Sequence, residues 1–464
     1  METHCTGLGR RSWIPLFVMM LTGSFAALAT ARTYYVDAAG GDDGWDGLKP
    51  ETAWRSLAKV NHAPIGPGDK VLFRRGQAWR GQLVPRSGEA GGALTYGAFG
   101  EGPKPMLLGS VSADRLEDWQ EAGEGIWATP APRLHPSDPP VDVGNIIFDH
   151  GKSAGVKKWR EEDLRDEGDF CYDAKSWRVV LRSGGHPVQR HSSIELALRR
   201  HIIDQSGRGH VTYENLDLRY GAAHGIGGAS THHITVRGCD VSWIGGGHQM
   251  TRPDGRPVRY GNGIEFWSSA RDCRVEGCRL WEIYDAALTN QGDGTNVQEN
   301  IVYRQNVIWN CEYSFEYWNR GPASRTRNIL FERNTCVDAG YGWGHRQRPD
   351  PNGRHLMFYD NSAATTNFVV RSNIFCRATE SLLRLQGRDW TPALAMSSNG
   401  WRQEHGAFLL WGTESVGADR FRDFLRARGF ELRTWTADPK FADPAKRDYR
   451  LAPDSPLQGA GIGF

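Results

Sequence analysis

The chain has 464 residues, with 56 lysines and arginines against 54 aspartates and glutamates, for a formal charge of +2. That near balance gives no support for nucleic-acid binding, which needs a basic face, and suggests no acidic tail. Fifty-six glycines without a G-X-Y period exclude collagen, and 18 tryptophans exclude a disordered chain.

Residues 1–31 read as a signal peptide. Arg10 and Arg11 precede an apolar run from Trp13 to Ala27, and small residues close it at Ala27-Leu28-Ala29 or Ala29-Thr30-Ala31. The run is too short for a comfortable membrane span. The mature chain is therefore expected to be secreted or periplasmic, monomeric and free of the membrane. Residues 32–110 form an N-terminal cap and the first coils. They hold a strand at Tyr34-Tyr35-Val36-Asp37 and a short helix over 52–60, with Trp54, Leu57 and Val60 at helical spacing. Strands follow at 71–73, 82–84, 94–97 and 106–108. Residues 111–200 interrupt the pattern with proline-rich loops, strands at 145–148 and 179–181 and the charged stretch 157–169; they read as an insertion or side subdomain.

Residues 201–390 repeat. Tyr213-Glu214-Asn215-Leu216 aligns with Val236-Arg237-Gly238-Cys239, Val275-Glu276-Gly277-Cys278, Tyr303-Arg304-Gln305-Asn306, Phe331-Glu332-Arg333-Asn334 and Val370-Arg371-Ser372-Asn373. The last column advances by 23, 39, 28, 28 and 39 residues. Its three asparagines predict a ladder in which each buried amide bonds the next coil at the strand spacing of about 4.8 Å. Coils of this length, with one short strand per side, predict an all-β single-stranded parallel β-helix, right-handed as parallel crossovers are. Residues 391–464 form a C-terminal cap, with a helix at 421–427 and closing strands at 438–441 and 448–451. Cys5 leaves with the signal; seven cysteines remain, an odd number without zinc-site spacing, and read as buried small apolar residues.

The cap sequences resemble secreted pectate-lyase-like right-handed parallel β-helix proteins. The resemblance is carried by Tyr34-Tyr35-Val36-Asp37, by Trp54-Arg55-Ser56-Leu57, by the stretch from Gly66-Pro67-Gly68-Asp69 to Gly76, and by Leu94-Thr95-Tyr96-Gly97-Ala98-Phe99-Gly100. It implies a polysaccharide or oligosaccharide partner and one of three activities: glycoside hydrolase, polysaccharide lyase or uronate epimerase. It carries over no catalytic residue.

A second column places the chemistry. Ile264, Leu288, Phe315, Met357 and Leu383 are expected to point inward, as are Phe266, Asn290, Tyr317, Tyr359 and Leu385 two residues on. The residues between them then face out: Glu265, Thr289, Glu316, Phe358 and Arg384, followed by Trp267, Gln291, Trp318, Asp360 and Gln386. Tryptophan faces stack on sugar rings, and acids and amides bond hydroxyls. Glu265, Glu316 and Asp360 are the candidate catalytic carboxylates. Trp267, Trp318, Gln291 and Arg384 are candidate substrate contacts. His224 and Asp285 are placed at the groove edge, and His345 and Arg346, with Arg348, on the loop 340–355. The blander readings are a packed-over face and ordinary polar exterior residues. No lysine occurs from Ser176 to Pro439, which removes a lysine base from the coils and tilts the reading toward paired carboxylates. Hydrolysis by such a pair requires no cofactor. A lyase or epimerase would use an arginine or histidine base with a cation such as calcium, and a non-catalytic glycan-binding protein is the third reading. No metal ligand set is assigned.

Overall fold

The computed structural model describes residues 30–463, apart from 135–137, 388 and 431–432. The signal-peptide reading falls almost wholly on residues 1–29, outside the described residues. The main body is a right-handed parallel β-helix with a cap at each end and an insertion on its flank. Three long sheets form its sides, of ten, ten and nine strands. Period-two patterning builds each coil. In Arg271–Glu276, Cys273 and Val275 are buried while Arg271 and Arg274 are exposed, and the same rung repeats as Val275↔Tyr303, Tyr303↔Phe331 and Phe331↔Val370. The stacked inner positions make one continuous apolar core.

The asparagine ladder forms at the turn from the first sheet to the second. Asn306 Nδ2 donates to Asn334 Oδ1 at 2.9 Å, Asn334 Nδ2 to Asn373 Oδ1 at 3.0 Å, and Asn373 Nδ2 to Asn399 Oδ1 at 3.0 Å. Asn399 extends it by one rung beyond the sequence alignment. Each Oδ1 also accepts a backbone N–H of the preceding coil, as Asn334 does from Asn306 N at 3.0 Å. Cys239 and Cys278 fill the earlier rungs. All seven cysteines among the described residues are buried and free.

Three expectations shift. The N-terminal helix is Leu57–His62 rather than 52–60: Ser56 Oγ caps it by accepting from Lys59 N, and Trp54 instead stacks on Tyr34 with ring centroids 4.6 Å apart. In the third sheet the inward column runs Phe315↔Leu356↔Leu383 and Tyr317↔Phe358↔Leu385. Met357 and Tyr359 therefore face out, one residue from the expected phase. Arg354–Phe358 is buried on both faces, and its apolar run Leu356-Met357-Phe358 carries no alternation from which to read its phase. At the C-terminus, helix Ala418–Ala427 covers the open end with Phe421, Phe424 and Leu425. The hairpin of Phe441–Asp443 and Asp448–Leu451 lies instead on the flank of the second sheet, with Tyr449 against Trp309.

The insertion folds into a four-stranded and a five-stranded sheet around its own apolar core, including Phe148, Phe170 and Ile194. Its first and last strands, Ser110–Ser112 and Ile194–Leu198, pair antiparallel. The chain thus leaves the β-helix and returns at nearly the same place.

Candidate active site

The third sheet floors a cleft of about 1210 Å³. Strands Ile264–Trp267, Ala286–Gly292 and Tyr313–Asn319 pair in register, aligning Glu265↔Thr289↔Glu316 and Trp267↔Gln291↔Trp318. The two glutamates stand two rungs apart, roughly 9–10 Å between backbones. Trp267 and Trp318 lean together across the intervening rung to ring centroids 5.6 Å apart at 21°. Arg320 lies over Trp318 at 5.1 Å.

Although on the exterior of the sheet, Glu265 and Glu316 are each only 5% exposed. The Asn262 N–H donates to His224 Nδ1 at 2.9 Å. The neutral ring therefore carries its proton on Nε2, which faces Glu265 Oε2 at 3.1 Å. Asn262 Nδ2 donates to the same oxygen at 2.6 Å, while Asn262 Oδ1 accepts from Ala286 N at 3.0 Å. Burial holds His224 down at about 3. Burial pushes Glu265 up to about 7, against the Asn262 hydrogen bond. His201 stacks beneath His224 at 4.8 Å and is held down at about 4 by burial and by His224. Two glycines let the coils approach closely around Asn262. A Cβ on Gly261 would stand 2.2 Å from Gly245 Cα, and one on Gly263 would stand 2.5 Å from the Ala287 carbonyl oxygen.

A second carboxyl group lies beside the first. Gln291 Nε2 donates to Glu316 Oε2 at 2.7 Å. Arg348 Nη1 donates to Asp285 Oδ1 at 3.2 Å and stands near Glu312 as well. Burial, then the neighbouring Asp285, raises Glu316 well above the usual carboxylate range. Burial likewise raises Asp285, with Arg348 opposing. Glu312 adds to the rise at Asp285, as Asp285 does at Glu316.

The walls come from three places. The hairpin of Gly247–Thr251 and Pro257–Tyr260 forms one, the insertion brings Trp159, and the loop 340–353 brings Gln347 and Arg348. Half-buried Arg259 joins them. Its Nη1 donates to Gln347 Oε1 at 2.8 Å, its Nη2 to the Gly144 carbonyl at 3.0 Å and its Nε to the Gly246 carbonyl at 2.7 Å. The guanidinium also lies over the Tyr284 ring at 4.6 Å.

No family model matches the chain. Over 98 residues it is 36% identical to a lacto-N-biosidase of Bifidobacterium longum subsp. longum; that stretch is 20% of this chain and 6% of the other, so the chain spans a small fraction of that relative's length. A solved glycoside hydrolase superposes with a TM-score of 0.53 at 10% identity, over 83% of this chain and 96% of its own. XylC in complex with xylose superposes with a TM-score of 0.53 at 11% identity, over 83% and 73%. The likeness to both is one of fold.

Within that β-helix, Glu265, Glu316, Trp267, Trp318, Gln291, Asp285 and His224 all line the cleft. Four expected residues do not. Asp360 is exposed, displaced by the one-residue change of phase, and Tyr359 lines the cleft in its place. Arg384 follows Met357 in the outward column, beyond the cleft, and donates to the Gly412 carbonyl at 2.9 Å. His345 Nδ1 pairs with Glu312 Oε2 at 2.9 Å behind the wall. Arg346 points to solvent, because the single 3-10 turn His345–Gln347 sends successive side chains to different sides. Asn262 was missed, and the Gly261-Asn262-Gly263 triplet before a strand was its signal. Tyr260, Arg259 and Trp159 left no local signal, since only the fold brings their loops to the floor.

Proposed function

We propose that the chain is a glycoside hydrolase acting on an oligosaccharide or polysaccharide, with Glu265 as general acid and the Asp285–Glu316 pair supplying the carboxylate. One observation carries the reading: Glu265 is a buried carboxyl raised to about 7 whose Oε2 is occupied by two donors, His224 Nε2 and Asn262 Nδ2. Its proton is then left to Oε1, from which it passes to the departing glycosidic oxygen. Arg348 beside Asp285 favours its ionised form, while Asp285 disfavours ionisation of Glu316, and the ionised carboxylate serves as base or nucleophile. The backbone separation of Glu265 and Glu316 is compatible with carboxyl spacings in such enzymes, typically about 5–9.5 Å. Trp267 and Trp318 offer the stacking floor for a sugar ring. The names of the partial relative and of the two fold neighbours support the same substrate class.

His224 is poorly placed as the base of an elimination, because both ring nitrogens are engaged. No lysine lines the cleft among the described residues. The test is to incubate the mature chain with neutral and uronate-containing glycans while following reducing ends and ultraviolet absorbance together. New reducing ends without absorbance, lost in Glu265→Gln, are expected. Rising absorbance would replace hydrolysis by elimination, and a fully active Glu265→Gln would remove Glu265 from the chemistry.

A further inference from the structure

The exterior of the first sheet carries a histidine cluster that the cleft does not use. Six residues occupy one register position on successive coils: His210, His233, Asp272, Asn300, Asn328 and Asn367. All six take the left-handed backbone conformation, with φ of 55, 53, 55, 55, 56 and 51° respectively. Their side chains connect in one direction. Asn367 Nδ2 donates to Asn328 Oδ1 at 2.8 Å, Asn328 Nδ2 to Asn300 Oδ1 at 2.9 Å, and Asn300 Nδ2 to Asp272 Oδ1 at 2.9 Å. The amide chain thus ends on a carboxylate whose Oδ2 faces His233 Nε2 at 3.9 Å.

On the other edge of the same ring, His233 Nδ1 lies 3.2 Å from His232 Nδ1. His210 stacks on His233 with ring centroids 4.3 Å apart. One nitrogen from each of His210, His232 and His233 falls within 4.8 Å of the other two. Gly209 makes this possible. A Cβ there would stand 2.1, 2.3 and 2.6 Å from three atoms of the His232 ring, so any other residue would push that ring away from its partners.

We propose that His210, His232 and His233 bind a divalent late first-row metal ion of the zinc type, with Asp272 as the carboxylate behind the ligating His233. Imidazole nitrogen suits zinc, copper and nickel. A tetrahedral zinc with bonds of about 2.0–2.1 Å sets neighbouring ligand nitrogens roughly 3.3 Å apart, close to the His232–His233 spacing. His233 binds through Nδ1 while its Nε2–H turns to Asp272, the carboxylate–imidazole–metal arrangement that fixes the ring and raises its basicity. Three protein ligands leave a fourth position for water. The ion would tie the coil of residues 209–210 to the next at 232–233, and the amide chain would hold Asp272 in place from three further coils.

The experiment is calorimetric titration of the untagged mature chain with zinc chloride near neutral pH, with cobalt absorption reporting the coordination geometry. One ion per chain, a tetrahedral cobalt spectrum, loss of binding in His233→Ala and a loss of roughly tenfold or more in Asp272→Asn are expected. Glu265→Gln should bind zinc as the wild type does. No uptake by the wild type, or unchanged affinity in His233→Ala, overturns the site. Unchanged affinity in Asp272→Asn overturns the role given to the carboxylate.

Discussion

On the floor of the cleft, Glu265 and Glu316 sit on strands bonded rung by rung through Thr289, so the acids move only if the coils move. The walls are built otherwise. The hairpin 247–260, the insertion and the loop 340–353 meet largely through side chains, with Arg259 and Gln347 bridging between them. Backbone ladders fix position, whereas side-chain junctions can open locally without unfolding the solenoid. The geometry of the proposed catalytic acids therefore belongs to the β-helix, and the shape and access of the cleft belong to its insertions.

The largest effect expected is on the floor. Glu265→Gln should lower kcat by roughly 10²–10⁴-fold with KM little changed, measured on whichever glycan the wild type cleaves. The same variant tests the electrostatics. Burial raises the Glu265 carboxyl from 4.5 to about 7, so over that interval the folded chain holds a proton that the unfolded chain has released. The stability from this group is full below pH 4.5 and is lost as pH rises through 7, by about 3 kcal/mol in all. Denaturant unfolding of wild type and Glu265→Gln across this window should differ by that slope. His224, depressed by burial, acts in the opposite sense below its usual value but is present in both proteins.

A smaller effect separates buried from exposed ladder positions. Asn334→Ala leaves the buried N–H and Nδ2 of Asn306 without their acceptor and should cost about 2 kcal/mol in unfolding experiments. Exposed Asn328→Ala, which puts an alanine on left-handed backbone of φ 56°, should cost about 1 kcal/mol. The smallest effect on the fold is expected in the wall. Arg259→Met should raise KM roughly tenfold, equivalent to about 1.4 kcal/mol of binding, and should expose amides of 247–260 and 340–353 to hydrogen exchange. Exchange that spread to 264–267 or 313–319 would break the distinction between floor and wall.

The residues show where sequence reading succeeds. Glu265, Thr289 and Glu316 aligned because their strands alternate cleanly, with Ile264, Leu288 and Phe315 marking the inner face. The phase was lost at Leu356-Met357-Phe358, where both faces are apolar and buried, and Asp360 was misplaced with it. His345, Arg346 and Arg348 were assigned to the groove from their loop, yet one 3-10 turn left only Arg348 of the three on the cleft, with Gln347 beside it. The insertion was legible as an interruption, but its gift of Trp159 to the cleft was not.

The sequence by itself determined the coil, the asparagine ladder and the acid-and-tryptophan floor, because these follow from local alternation and from a motif repeated at each turn. Only the tertiary structure decided that the floor is a cleft, that Asn262 and His224 grip Glu265, and that the expected exterior acids are buried. Those outcomes depend on segments distant in sequence folding over one sheet, and desolvation, unlike strand periodicity, is set by whatever comes to lie on top.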